Sequence, residues 1–134
     1  MTAVFPFYTA IDTAVLGLLA AVLTVNVIIN RVGAKVDAGD GGVASLAQAI
    51  RAHANFAEQA PIGVLLVGLV EAFGYRTQIV LGLGGVLLLA RLLSAWSLNR
   101  SLGQTFGRQG GASLTILLTA ISAVLILYAA IGTH

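Results

Sequence analysis

Four long apolar stretches run through this chain, separated by short polar segments. A membrane-spanning helix needs about 20 mostly apolar residues. The pattern therefore predicts four spans, at about residues 6–32, 46–73, 77–98 and 112–131. The N-terminus lacks a positively charged segment, and the first apolar run is too long for a signal peptide, so we expect the first span to be retained. The predicted fold class is all-α, a four-transmembrane-helix bundle that forms a single integral membrane domain over residues 1–134.

The connections between the spans contain the turn-prone residues. Gly39-Asp40-Gly41-Gly42 lies in the polar loop after the first span. Ser45 and Gln48 then have the spacing of a capping box, which predicts the start of the second helix. The last connection, residues 99–111, is polar and ends in Gly110-Gly111, so we expect the fourth helix to begin after these glycines.

The composition agrees with a membrane protein. Of the 134 residues, 58% are hydrophobic and 9% are charged, whereas a soluble domain has about 25% charged residues. The net charge of +2 comes without a Lys/Arg cluster, which argues against a nucleic-acid partner. The chain has no cysteine, so any thiol chemistry would need a thiol supplied by a ligand.

The distribution of basic residues predicts the orientation in the membrane. The 1–2 and 3–4 connections share one side and contain Arg31, Lys35, Arg100 and Arg108, while the other side has only Arg76. Cytoplasmic loops are enriched in Lys and Arg. We therefore expect these two connections to be cytoplasmic and both termini to lie on the opposite side.

The second span contains an unusual set of polar residues. Arg51, Asn55 and Glu58 stand at i, i+4 and i+7, so a helix would bring them to one face, with His53 nearly opposite. Ionisable groups at membrane depth are costly, and they usually face a bundle interior, a cavity or a partner. This stripe predicts a polar intramembrane site near the cytoplasmic end of the bundle.

A second cation lies within the third span. Arg91 is flanked by leucines, and we expect it to pair with Glu58 at similar depth. Arg31 at the end of span 1 and Arg108 before span 4 lie on the same side of the membrane. Since arginine forks match carboxylates, an excess of arginine suits a small ligand with several carboxylates.

Each of these residues also has a purely structural interpretation. Glu58 with Arg91 would equally serve as an ion pair that holds the bundle together. Arg31 and Arg108 would fit interfacial residues whose side chains snorkel toward water. His53 has no second histidine at metal-ligand spacing, so a hydrogen-bonded packing role is the simpler interpretation and no metal site is predicted.

The span 2 motif carries a family resemblance. Arg51-Ala52-His53-Ala54-Asn55, with Glu58 three residues later, resembles the Arg-Ala-His-x-Asn-x-x-Glu motif of the bacterial branch of the MAPEG family (membrane-associated proteins in eicosanoid and glutathione metabolism). Arg91 in span 3 and Arg108 before span 4 also match that family's pattern. The length and the four-span plan agree, so the resemblance covers nearly the whole chain.

The resemblance implies a homotrimer that binds glutathione between neighbouring subunits, open to the cytoplasm. Arg51, Asn55 and Glu58 look like glutathione-contacting residues, with His53 part of the motif. The remaining contacts implied by the resemblance are Arg31, Arg91 and, near the thiol, Arg108.

The chain departs from the family pattern where a thiol would be activated. Bacterial relatives often have His and Tyr after the span 3 arginine, where this chain has Ser94 and Trp96, and the tyrosine of some catalytic relatives is missing from span 4. All tyrosines of the chain map to the opposite side of the membrane. The candidates for catalysis are therefore Arg108, through its charge, and Ser94 or Ser113, through a hydrogen bond.

Two functions follow from these features. The first is a glutathione-dependent membrane transferase or peroxidase of the inner membrane that acts on a lipophilic electrophile arriving from the membrane lipids. The second is a non-catalytic membrane protein that keeps the fold for binding or structure, which the missing tyrosines favour. A small multidrug-type exporter ranks third, because its essential acid is expected in the first helix and Glu58 is in the second.

Overall fold

A computed structural model describes residues 5–100 and 106–132. These residues form four α-helices, α1 (Phe7–Ala34), α2 (Ala44–Ala72), α3 (Thr77–Leu98) and α4 (Phe106–Gly132), which confirms the all-α prediction. Three of them, α1, α3 and α4, are long and apolar enough to cross a membrane. The second helix, α2, is less apolar because the polar motif occupies its first half, although its 29 residues extend for about 44 Å.

The helices α2 and α3 form the centre of the bundle. They pack against each other, α1 packs on both of them, and α4 also packs on both, whereas α1 and α4 make no contact within the described residues. The apolar core accordingly contains Val67 and Val70 of α2 with Leu87 of α3, and it receives Leu16 from α1 and Leu118 from α4. A cavity between α2, α3 and α4 is thus separated from α1.

Polar contacts between helix ends fix the antiparallel arrangement. The Glu71 carboxylate at the end of α2 accepts hydrogen bonds from the backbone N–H groups of Tyr8 and Thr9, both at 2.8 Å, and from the Thr9 hydroxyl at 2.7 Å. It therefore caps the free N–H groups of the α1 N-terminus. Near the opposite end, the Asn26 amide donates to Asn99 Oδ1 at 2.9 Å. The 1–2 and 3–4 connections consequently share one end of the bundle.

The start of α2 differs from the prediction. The helix begins at Ala44, after Val43, and it has no side-chain cap, so the predicted capping box at Ser45 is wrong. The preceding turn explains the shift, because Asp40 Oδ1 accepts a hydrogen bond from Gly42 N and the chain enters the helix directly from this turn. Ser45 consequently lies inside the first helical turn.

The start of α4 also differs, and the reason lies in helix packing. The fourth helix begins at Phe106, so Gly110 and Gly111 are inside it and do not form the predicted link. A Cβ atom on Gly111 would overlap Ser94 Oγ and would lie 2.9 Å from the Ala90 carbonyl oxygen. Gly111 therefore permits the close approach of α4 to α3, as small residues do at membrane helix contacts.

Candidate functional site: a buried arginine beside a cavity

The register of α2 and α3 brings Arg91 level with Asn55. Glu58 lies 14 residues before the end of α2 and Arg91 lies 14 residues after the start of α3, yet the packing of the two helices pairs Arg91 with Asn55. Arg91 Nη1 donates to Asn55 Oδ1 at 3.2 Å and approaches the Asn55 backbone carbonyl at 3.4 Å. Glu58 lies three residues further along α2, almost a turn deeper in the bundle.

Arg91 also binds the fourth helix. Its Nη2 atom donates to the Thr115 hydroxyl, and that hydroxyl donates to the Gly111 carbonyl at 2.7 Å. The Arg91 residue is only 2% exposed, and its Nε atom is buried without a hydrogen-bond partner. This one guanidinium therefore connects α2, α3 and α4 through Asn55 and Thr115.

The charge of Arg91 has no acidic partner in the described part of the chain. The ion pair found there is between Arg51 and Glu58, whereas Arg91 donates to an amide oxygen, a backbone carbonyl and a hydroxyl. Burying a charge costs several kcal/mol even after the protein relaxes. Because the surroundings of Arg91 do not neutralise it, its positive potential extends into the adjacent cavity.

That cavity has a volume of about 610 Å³ and lies between α2, α3 and α4. Small-molecule sites in proteins commonly have volumes of about 300–1,000 Å³. Its polar lining consists of Asn55, Gln59, Arg91, Ser94, Thr115 and Thr119. A buried cation surrounded by amides and hydroxyls offers hydrogen-bond donors to an anionic, peptide-like ligand.

The wall that α4 contributes is mainly apolar and made of small side chains. Ala112, Ile116, Ala120 and Ala123 follow one another at intervals of three or four residues, so they occupy one face of α4. This face extends the cavity along the helix for about 16 Å, at 1.5 Å per residue. The cavity therefore joins a polar region to an apolar strip.

The predicted ion pair between Glu58 and Arg91 does not form. Glu58 Oε1 instead accepts from Arg51 Nη1 at 3.2 Å, and the two side chains are 53% and 43% exposed. The reason is geometrical, since Arg51 and Glu58 are two turns apart on one strip of α2, whereas Asn55 is rotated toward α3 and takes Arg91. The stripe of three polar residues is thus divided between a surface pair and the buried network.

The other predicted site residues have different positions. Arg31 Nη1 donates to the carbonyls of Val36 and Gly39, both at 3.1 Å, and so holds the loop between α1 and α2. His53 is half-buried on α2, about 200° around the helix from Asn55, and does not line the cavity. Ser94 is buried and does line it.

Arg108 lies in the first turns of α4, and its side chain is outside the described residues. Its predicted role beside a thiol therefore stays a prediction.

Sequence reasoning missed several of the cavity residues. Gln59 stands at i+4 from Asn55, and this spacing on a polar helix face would have indicated it. Thr115 and Thr119 have the same spacing on α4, but threonines in membrane helices commonly bond their own backbone, so the sequence alone gave no reason to select them. Their participation depends on the contact between α4 and α3.

Comparison with known proteins shows the family of this chain. The MAPEG family model matches residues 9–128. The inner membrane protein YecN of Escherichia coli strain K12 is 33% identical over 107 residues, which cover 80% of this chain and 80% of that protein. The protein of the same name from Escherichia coli O6:H1 strain CFT073 gives the same values. No solved structure matches the chain. Because the family model extends over parts of all four helices and a relative is 33% identical over most of its length, the chain belongs to the MAPEG family.

Proposed function

We propose that this protein is a glutathione-dependent membrane transferase or peroxidase that acts on a lipophilic electrophile. The observation that carries the proposal is the buried Arg91, which has no acidic partner among the described residues and lies beside a cavity with one polar and one apolar region. A polar tripeptide anion fits the polar region of the cavity, and a lipophilic molecule fits its apolar region. The membership of the MAPEG family supports the same assignment.

The residues present fit glutathione as a ligand. Arg91 supplies the buried positive charge, and Asn55 and Gln59 supply amides that match a peptide backbone. Arg51 and Glu58, which pair with each other at 3.2 Å, would exchange this pair for a carboxylate and an amine of the ligand. When bound, glutathione would supply the thiol nucleophile that this cysteine-free chain lacks.

The chain's own groups determine how a thiol would be stabilised. Ser94, buried at the cavity wall, offers a hydrogen bond, and the cations Arg91 and Arg108 would favour the charged form of a thiol near them. The apolar strip on α4 would keep water from the reacting group and align the lipophilic substrate.

A homotrimer is part of the proposal. An exposed Arg51–Glu58 pair at the level of a membrane helix needs a covering surface, because charges facing lipid are costly. A neighbouring subunit would cover this pair and would bring its Arg31 and His53 toward the site. We further propose that the protein lies in the bacterial inner membrane, with its 1–2 and 3–4 connections cytoplasmic and both termini on the opposite side.

Glutathione binding to the detergent-purified protein tests the proposal. Calorimetry should detect saturable binding, and Arg51→Ala should weaken it at least tenfold, because a charge-assisted hydrogen bond contributes about 1.5–3 kcal/mol. Arg76→Ala, which removes an exposed arginine from the opposite end of α3, is the matched control and should bind normally. No binding, or equal loss in both variants, would refute the assignment.

A second function is favoured by one observation. The cavity lining contains no tyrosine and no histidine among the residues that the structure describes, so a binding protein without catalysis is the alternative. Ultraviolet absorbance near the thiolate band, recorded during the titration, separates the two functions. A thiolate signal with turnover that Arg108→Ala abolishes rules out the non-catalytic alternative, and binding without either supports it.

A further inference from the structure

The outer face of α3 has an apolar groove that the proposed function does not use. It has a volume of about 460 Å³ and is lined by Leu89, Leu92, Leu93 and Trp96. All four side chains are exposed, with Trp96 55% accessible. They alternate with the buried residues of α3, such as Arg91, so the groove lies on the side of the helix that faces away from the cavity.

A cation stands at the end of this groove. The Arg100 guanidinium carbon lies 4.4 Å from the centroid of the Trp96 ring, which is a cation–π contact. Stacking uses the flat face of the guanidinium, and its N–H groups point outward in the plane of the fork. An apolar groove, an indole at the helix end and an oriented arginine therefore follow one another along one side of α3.

The order of these groups along α3, from apolar to charged, matches the order of polarity along a phospholipid. The acyl chain of a phospholipid suits the leucines, the indole suits the level of the headgroups, and the guanidinium edge suits a phosphate. A single positive charge without an acid in the groove favours a lipid with net negative charge over a zwitterionic lipid, whose ammonium group would face the arginine. Anionic lipids also attract basic residues next to a membrane helix by about 1 kcal/mol per residue.

We propose that the groove from Leu89 to Trp96, closed by Arg100, is a binding site for one anionic phospholipid. The site is independent of the glutathione cavity, since the two lie on opposite sides of α3. It would fasten α3, which carries Arg91, to the lipid layer at the end of the bundle where the 3–4 connection lies.

The protein contains its own probe for this site, because Trp96 is the only tryptophan of the chain. The full-length protein would be reconstituted in phosphatidylcholine bilayers with increasing fractions of lipid brominated on its acyl chains, either phosphatidylglycerol or phosphatidylcholine. Bromine quenches indole fluorescence at short range. We expect brominated phosphatidylglycerol to reach half-maximal quenching of Trp96 at about one fifth of the mole fraction that brominated phosphatidylcholine requires.

Two arginine variants make the test specific. Arg100→Gln should bring the two quenching curves together, whereas Arg76→Gln, an equal change of charge at the other end of α3, should leave the fivefold difference. Equal quenching by both lipids in the unaltered protein would overturn the proposal. The same would follow from an equal loss of preference in both variants, or from a Trp96 that neither lipid quenches, which would mean that protein covers this face.

Discussion

The hydrogen bond between Arg91 and Thr115 gives the sharpest test of the buried network. Thr115→Val keeps the shape of the side chain but removes the hydroxyl that accepts from Arg91 Nη2. Thr115 is only 5% exposed, so Nη2 would lose its protein partner, as Nε already lacks one. A hydrogen bond to a charged group contributes about 1.5–3 kcal/mol, and we expect a loss of stability in that range. Thr115→Ser keeps the hydroxyl and should cost about 0.8 kcal/mol, the contribution of one buried methyl group.

A double-mutant cycle would show whether Arg91 is the cause. Unfolding of the detergent-solubilised protein would be followed by circular dichroism for Thr115→Val, Arg91→Met and the double variant. In the Arg91→Met background there is no buried cation to satisfy, so Thr115→Val should cost less by about 1.5 kcal/mol or more. An equal cost of Thr115→Val in both backgrounds would refute the reasoning, and so would a Thr115→Ser variant as unstable as Thr115→Val.

Two further predictions concern stability and use matched pairs of variants in the same thermal unfolding assay. Glu71→Gln should lower the free energy of unfolding by about 1.5–3 kcal/mol, because one carboxylate there accepts three hydrogen bonds from Tyr8 and Thr9. Asp37→Asn, in the exposed loop between α1 and α2, should change it by less than about 1 kcal/mol, and equal losses would contradict this. Gly111→Ala should lower the free energy of unfolding by about 1–3 kcal/mol, because the new Cβ atom would meet the α3 backbone. Gly110→Ala should be neutral or slightly stabilising, because a Cβ atom there has no other atom within 4 Å. The reverse order of stabilities would show that α4 does not approach α3 in this way.

Much of the fold follows from local properties of the sequence. The long apolar runs require helices, because a backbone in lipid must satisfy its hydrogen bonds internally. The helix limits were predicted to within a few residues for α1, α2 and α3. The error of six residues at the start of α4 arose at Gly110-Gly111, which look like a turn in sequence. Only the proximity of α3 shows that Gly111 is a packing position inside a helix.

The candidate site was predicted in part, for the same reason. The helical period of α2 placed Arg51, Asn55 and Glu58 on one face, and the free-energy cost of polar and ionisable side chains at membrane depth indicated a functional or packing role for them. The partners of these residues could not be predicted, because a pairing between helices depends on register. A difference of three residues in depth decides that Arg91 meets Asn55 and leaves Glu58 to Arg51.

The class of protein, the number of helices and the presence of costly polar residues inside one of them could be predicted without any tertiary contact. These properties depend on hydrophobicity and helical period, which act over neighbouring residues. Which polar groups meet depends on the packing of the helices, which brings Thr115 to Arg91 and leaves that cation, among the described residues, beside a cavity with no acidic partner. Contacts of this kind join positions far apart in the chain, and the packing of α4 on α3 through Gly111 sets them.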